Sequence, residues 1–494
     1  MKANESIFTA FADSAAARPE APAVLGEALA LTYAQLDRAA RALAGEVARR
    51  TSAQRVGLYL PSSPAFAAAF LGTLAAGRTA VPLSLFAPPA ALDALAEDAA
   101  LDLVLTVDPL AGRLAPCRFA RLDVAPILAG ALADDEPGAP HAPKSGGDLA
   151  VILYTSGSSG APKGVRLTHG NLLANTRGAA EAAGFSPDER VLAALPMFHT
   201  FALTTTLLAP LLAGGSVHTL ARFSPEAVLR AIEKTRATVF LAVPSMLRLL
   251  ARAQAAAGAD LSSLRFVVSG GEGLPKRARD EFERATRCPI CEGYGLTECS
   301  PVVALNRPED NRPGTVGRPL PGTEVRVASD EGTTLAPGEE GEVQVRGPHV
   351  MAGYHNRPEE TAAALTADGW LRTGDLGRLE ADGYLSITGR LKELIIVAGE
   401  NVAPAEVEGV LLDHPAVAEA AVVGVPDEAR GETVVAFVVS PDALDARALR
   451  AHCRERLAPH KVPRRVETLA ELPKGPTGKV LRKELAARAA GREE

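Results

Sequence analysis

Tyr154-Thr155-Ser156-Gly157-Ser158-Ser159-Gly160-Ala161-Pro162-Lys163-Gly164-Val165 follows an apolar run, Leu149 to Leu153, that reads as a buried strand. The twelve residues hold three glycines, four serines and threonines and one lysine. Glycine lets the backbone turn and approach a ligand closely, so a loop of this kind presents N–H groups and hydroxyls to one anion, and a lysine adds a point charge. A polyphosphate is the natural guest. The spacing is G-x-x-G-x-x-K, which differs from the G-x-x-x-x-G-K-[ST] of a Walker A loop. From spacing alone a flexible Gly/Ser loop stands as the alternative.

Working outward toward the N-terminus, Thr32 and Gln35 have capping-box spacing, and Leu36, Ala40, Leu43 and Val47 then recur at helical intervals. Arg55 to Leu60, Ala80 to Leu83 and Leu101 to Val107 read as strands, with helices over Pro64 to Gly77 and Ala91 to Ala99 between them. The Pro-, Gly- and charge-rich stretch Asp134 to Gly147 reads as a surface loop. Toward the C-terminus the alternation resumes. Strands are expected at Arg190 to Leu195, Ser216 to Leu220, Thr238 to Val243 and Arg265 to Val268. Helices are expected at Leu203 to Leu212, at Pro225 to Arg236 behind a Ser224 cap, at Pro244 to Ala257 and at Pro275 to Ala285. From Thr323 short β-like runs separated by glycine, such as 342–346 and 384–387, mark a small β-rich subdomain. A new α/β unit follows Arg390, with strands at Glu393 to Val397, Ala418 to Val425 and Thr433 to Val439 and a helix at Arg447 to Leu457. The expected fold is α/β: a large N-terminal domain, residues 1–390, of layered α/β subdomains plus the β-rich piece, and a small mobile C-terminal α/β domain, residues 391–494.

A chain of 494 residues exceeds one hydrophobic core, which agrees with two domains. A net charge of −7 without a basic block argues against a nucleic-acid partner. Five cysteines, an odd number, do not make a disulfide framework and fit a reducing cytoplasm. Cys288 and Cys291 have half the spacing of a zinc site, with no matching second half. The first residues, Met1 to Ser6, lack the apolar core of a signal peptide. Val191 to Ala221 carries no Asp, Glu, Lys or Arg, but Pro196, Pro210 and Gly214-Gly215 interrupt it, so it reads as buried core rather than a membrane span.

Six further segments stand out. In Pro196-Met197-Phe198-His199-Thr200 the histidine is, on its own, a core residue at a strand end. Ser269-Gly270-Gly271-Glu272 follows a strand and places a carboxylate beside two glycines. Tyr294-Gly295-Leu296-Thr297-Glu298 offers a ring, a hydroxyl and a carboxylate in five residues. Thr373-Gly374-Asp375 lies between β-like segments, and Gly389-Arg390-Leu391-Lys392-Glu393 lies at the expected domain boundary. Leu472-Pro473-Lys474-Gly475-Pro476-Thr477-Gly478-Lys479 is a tight loop presenting a lysine, or else a solvated basic tail.

The opening loop and these segments, in this order, closely resemble the adenylate-forming superfamily of acyl-CoA synthetases, aryl-CoA ligases, luciferases and peptide-synthetase adenylation domains. The likeness runs from about Leu31 to Leu485. It implies that Thr155, Ser156, Gly157, Ser158, Ser159, Gly160 and Lys163 cradle the ATP phosphates. Gly270 and Gly271 belong to the adenine side, and Tyr294 with Gly295 stacks on adenine. Thr297 donates to a phosphate oxygen, and Glu298 is the Mg²⁺ ligand. Asp375 takes the ribose hydroxyls, and Arg390 makes a second ribose or phosphate contact. Lys392 is the hinge, His199 gates the acyl pocket, and Lys479 contacts the substrate carboxylate and α-phosphate. Ala398-Gly399-Glu400 departs from the family's Gly-Gly pattern, near where a pantetheine arm enters.

The resemblance implies an AMP-forming acyl-CoA synthetase using ATP, Mg²⁺ and CoA. Amino-acid-activating relatives place an Asp near His199. Its absence here favours an uncharged acyl tail, and a medium- or long-chain fatty acid is the expected substrate. The alternatives are an aryl- or small-acid CoA ligase, and a ligase that loads an acyl carrier protein. A nucleotide-binding regulator without catalysis is the reading from another class, and retention of Lys163, Glu298, Asp375, Arg390 and Lys479 weighs against it.

Overall fold

The computed structural model describes residues 5–133, 140–155, 162–427, 429–440, 444–474 and 480–491. The chain divides into two compact units. One comprises Met1–Glu272, Phe282–Val325 and Val345–Leu371, and the other comprises Gly273–Glu281, Arg326–Gln344 and Arg372–Glu494.

Two sheets build the first unit. The larger has nine strands, and six of them, Ile290–Gly295, Phe266–Ser269, Val239–Ala242, Arg190–Ala193, Ser216–Thr219 and Pro22–Leu25, run parallel in that spatial order. Antiparallel strands close both edges: Val302–Leu305 and Arg318–Pro319 on one side, Ala30–Thr32 on the other. The parallel strands are near-continuous apolar runs such as Val239–Ala242, buried at every position, as a sheet covered on both faces requires.

The second sheet orders Ala120–Asp123, Leu103–Thr106, Arg55–Leu58, Thr79–Pro82, Leu149–Thr155 and Lys163–Thr168. Only the last pair is antiparallel. Helix Pro64–Ala75 is apolar all round and almost wholly buried, so it packs as core. It approaches helix Tyr33–Arg50 so closely that a Cβ at Gly72 would lie 2.8 Å from the Ala40 carbonyl oxygen. The capping box read at Thr32 and Gln35 is present, and Ser224 caps a helix that starts at Pro225. The charge-free stretch after Val191 is core strand and helix, and among the described residues no helix is long and apolar enough to cross a membrane.

The second unit also holds two sheets. Four strands, Glu324–Ala328, Glu340–Arg346, Leu371–Leu379 and Leu385–Arg390, form the β-rich piece. Five more, Glu400–Val402, Ile395–Val397, Gly431–Val439, Glu419–Asp427 and Arg465–Leu469, pack against helices around Val407, Leu411, Leu449 and Cys453. A 3-10 turn, Leu391–Glu393, joins the two sheets at the position expected for the domain boundary.

Candidate active site

Parallel sheets leave their ligand crevice at the carboxyl ends of the strands, where loops diverge. Three segments singled out in the sequence lie at such ends in the nine-stranded sheet. Gly270 and Gly271 follow strand Phe266–Ser269, Tyr294 and Gly295 end strand Ile290–Gly295, and His199 lies just beyond Arg190–Ala193. In the six-stranded sheet, Thr155 ends one strand and Lys163 begins the next, paired in register with it. The residues between them, Ser156, Gly157, Ser158, Ser159 and Gly160, lie outside the described residues, as does Lys479.

A cavity of about 90 Å³ opens at the carboxyl ends of the central strands. Phe201, Thr205, Leu241, Gly270, Tyr294 and Leu305 are among its lining residues, and no charged side chain is. Gly270 is small of necessity: a Cβ there would sit 3.2 Å from Cζ of Phe201. Phe201, Thr205 and Ala209 come from one helical course that widens into a π-helix over Leu203–Leu208. A π-turn shifts backbone partners from i−4 to i−5. Within it Thr205 and Thr206 donate to the carbonyls of Phe201 and Ala202 four residues back, the latter at 2.7 Å, and Thr204 donates to the Ser300 carbonyl at 2.9 Å. The hydroxyls of these three buried threonines thus all find acceptors.

His199 stands at the start of that course, its ring 4.5 Å from the Phe198 ring. Its Nε2 is buried with no partner among the described residues, and burial holds its pKa down to about 4. The imidazole is therefore neutral at pH 7. Glu272 is exposed and is absent from the cavity lining.

The Glu298 turn is the most tightly tethered part of the site. Thr297–Cys299 forms one 3-10 turn after the strand, and Gly295 has no room for a side chain, since a Cβ would lie 2.1 Å from the Pro301 carbonyl oxygen. Asn175 donates to the carbonyls of Cys299 at 3.0 Å and Val302 at 2.6 Å. Ser300 donates to the His349 carbonyl, and the Met351 N–H donates to the Glu298 carbonyl, both at 2.8 Å. The Tyr354 hydroxyl donates to Oε1 of Glu298 at 2.8 Å, and burial raises the phenol pKa, so it stays protonated. Lys163 forms an ion pair with Glu360, and its Nζ lies 5.3 Å from the Tyr354 ring centroid. Sequence reasoning missed Asn175, Tyr354 and Glu360. Each acts across more than 50 residues of chain, and no local pattern announces that.

In the second unit Asp375 and Arg390 are opposite each other across an antiparallel pair, with Arg390 Nε 3.1 Å from Oδ1 of Asp375. Thr373 braces this turn by accepting from the Asp375 N–H at 3.1 Å and donating to the Val343 carbonyl at 2.6 Å. Lys392 is exposed in the 3-10 turn. Ala398, in the place of a family glycine, has φ +52°, a left-handed conformation that glycine adopts without strain.

The AMP-binding enzyme model matches residues 11–355, and the model of the C-terminal domain of AMP-binding enzymes matches residues 406–479. The chain belongs to the AMP-binding enzyme family. It is 40% identical over 450 residues to the sulfoacetate–CoA ligase of Cupriavidus necator, across 88% of this chain and 87% of that one. It is 40% identical over 480 residues to the feruloyl-CoA synthase of an Amycolatopsis species, across 95% and 96%. Against the long-chain-fatty-acid–CoA ligase of Bacillus subtilis it is 44% identical over 347 residues, 68% of this chain and 61% of that one. Among solved structures, o-succinylbenzoate CoA synthetase of Bacillus subtilis in complex with ATP and magnesium superposes with a TM-score of 0.86 at 31% identity, covering 97% and 99% of the two chains. The family member described here is thus an AMP-forming CoA ligase that uses ATP, Mg²⁺ and CoA, and its relatives differ in the acid they take.

Its residues fit that chemistry. No group of three His, Cys, Asp or Glu gathers among the described residues, so a protein-only metal cage is lacking there. Mg²⁺ does not require one: it is ordinarily held by one or two carboxylates together with phosphate oxygens and water. Glu298, with Oε1 accepting from Tyr354, would supply one such carboxylate if the cation is held there. Cys288 and Cys291 are both buried, and burial pushes the Cys288 thiol up to about 12, which disfavours the thiolate a metal would need.

Proposed function

We propose that this CoA ligase activates an acid with an uncharged, apolar tail, a medium- or long-chain fatty acid. The observation that supports it is the cavity beside Phe201, which no charged side chain lines. Burying an ionised tail there without a partner would cost several kcal/mol, whereas each buried CH₂ contributes about 0.8 kcal/mol. An aryl acid is the second reading. It is supported by the likeness to a feruloyl-CoA synthase and by Phe201, whose ring edge faces Gly270.

In the first half-reaction a carboxylate oxygen attacks the α-phosphorus of ATP, and the bond to pyrophosphate breaks. In the second, the CoA thiol attacks the acyl carbon, and AMP leaves with the bonding electrons while the thiol loses its proton. Mg²⁺, when bound, offsets phosphate charge. Lys163, Thr155 and the loop 156–160 are proposed to hold the terminal phosphates, Thr297 a phosphate oxygen and Glu298 the cation. Tyr294, with Gly270, Gly271 and Gly295, is assigned to adenine, and Asp375 with Arg390 to the ribose. His199, neutral, is assigned to the acyl pocket. Lys479 is assigned to the reacting carboxylate and α-phosphate, and Lys392 to the hinge between residues 1–390 and 391–494. These assignments rest on motif likeness. What they ask of the residues is positioning and charge neutralisation, the main sources of catalysis in phosphoryl chemistry.

The test is pyrophosphate release with saturated acids from acetate to dodecanoate, benzoate, ferulate and sulfoacetate, each with and without CoA. Catalytic efficiency is expected to rise roughly fourfold per CH₂ until the cavity is filled. A flat series, or a preference for benzoate, ferulate or sulfoacetate, overturns the fatty-acid reading. Thioester formed on an acyl carrier protein but not on CoA would redirect the second step.

A further inference from the structure

Tyr354 belongs to none of the motifs, yet it touches both charged groups of the phosphate side. Its hydroxyl donates to Oε1 of Glu298 at 2.8 Å, and its ring lies beneath the Lys163 ammonium at 5.3 Å.

The backbone around Tyr354 is held on both sides. It forms a β-bridge with Val165, and the flanking bonds run from the Ala352 N–H to the Arg166 carbonyl at 3.0 Å, from the Arg166 N–H to the Gly353 carbonyl at 3.0 Å, and from the His355 N–H to the Gly164 carbonyl at 2.7 Å. On the other side the Met351 N–H holds the Glu298 carbonyl at 2.8 Å. The Tyr354 N–H itself donates to Thr361 Oγ1 at 2.9 Å. Segment 351–355 therefore ties the strand that begins at Lys163 to the turn that carries Glu298, and Tyr354 extends the tie to the side chains.

We propose that Tyr354 is a positioning residue for the divalent cation that accompanies ATP: its hydroxyl occupies Oε1 of Glu298 and so fixes the carboxylate for the metal, at a set distance from Lys163. The inference rests on the reading of Glu298 as the metal-binding carboxylate. Partners that orient a metal ligand typically change metal affinity 10–100-fold when removed. A buried phenol also needs a partner for its own sake, so a purely structural role must be told apart.

Tyr354→Phe keeps the ring beneath Lys163 and removes only the donor. Three measurements are made on it, on Glu298→Gln and on the parent: the dissociation constant of Mn²⁺ from the ATP-loaded protein, read as the loss of the free Mn²⁺ electron-paramagnetic-resonance signal; ATP binding in EDTA; and the Mg²⁺ concentration that half-saturates pyrophosphate release. For Tyr354→Phe the Mn²⁺ dissociation constant and the half-saturating Mg²⁺ are expected to rise about tenfold or more, while ATP binding in EDTA stays within about twofold. The double variant is expected to bind Mn²⁺ no worse than Glu298→Gln alone. If Glu298→Gln loses Mn²⁺ and Tyr354→Phe does not, the positioning role is overturned and the Glu298 reading survives. If neither variant changes Mn²⁺ binding, both fall. If Tyr354→Phe weakens ATP in EDTA as much as it weakens Mn²⁺, the hydroxyl serves the fold and the proposal is overturned.

Discussion

The carboxyl ends of the central strands carry two surfaces of opposite construction. Around Glu298, charged and hydroxyl side chains are already held by protein partners: Glu298 by Tyr354, Lys163 by Glu360, and the turn itself by Asn175 and Ser300. Around Phe201 the cavity is made by leaving things out, with glycine at 270 and 293, alanine at 179, 183 and 209, and no charge. The difference follows from what each guest demands. A charged guest needs preplaced counter-charges, and these must be paired or solvated until it arrives. An apolar guest needs only volume, so its site is specified by small residues and is readily reshaped.

The sharpest way to break this comparison is Glu298→Gln. Loss of one preorganised charge is expected to slow adenylation by about 10²-fold or more, with the ranking of acids by chain length unchanged. Acid-dependent pyrophosphate exchange across the acid series measures both, and a changed ranking would show that the two surfaces do not act separately. Gly270→Ala sharpens it from the other side. The added methyl crowds Phe201, and overpacking of this kind costs about 1–3 kcal/mol, so efficiency with the longest acids is expected to fall roughly tenfold, and the KM for ATP, since Gly270 is also assigned to the adenine side, to rise by less. A KM for ATP that rises as much for every acid would mean that the methyl acts through the nucleotide alone. The smallest effect is expected from Glu360→Gln. Half-exposed ion pairs contribute about 1 kcal/mol at most, so freeing Lys163 from this resident anion is expected to lower the KM for ATP by up to about fivefold. An unchanged or raised KM would mean that Glu360 holds the lysine in place rather than competing with phosphate.

The two surfaces also differed in how far the sequence disclosed them. The charged side announced itself through Lys163 and the Tyr-Gly-Leu-Thr-Glu segment, because phosphate chemistry restricts residue types. Its supports did not, since Tyr354 and Asn175 reach Glu298 and Cys299 across the fold. The apolar side was visible as missing charge between Val191 and Ala221, and His199 was tied to it by the family likeness alone. Helices with local signals were read closely: Pro244 to Ala257 matches residue for residue, and Arg236, in the left-handed region at φ +53°, ends the helix that Ser224 caps. Elements fixed by distant pairing escaped. Strand Lys163–Thr168 is strand because it pairs with Leu149–Thr155, and Pro22–Leu25 because it adds to Ser216–Thr219. The helix expected from Leu203 to Leu212 is there, but its first six residues are π-helical, a winding that no local residue pattern announces. Likewise the alanine at 398 was noticed as a departure, while its positive φ was not legible.

That π-helical stretch has an evolutionary corollary. A π-turn is an α-helix carrying one surplus residue, so a single deleted codon within 203–208 would restore regular α-helical winding at little cost in hydrogen bonds. Each residue of an α-helix turns the course by about 100°. The deletion would therefore swing Phe201 relative to Ala209 by more than a quarter turn and redraw the cavity wall between them, while the Glu298 turn, carried on another strand, keeps its tethers apart from that of Thr204. If this cavity takes the acid, one such deletion would alter its shape without touching the turn that carries Glu298.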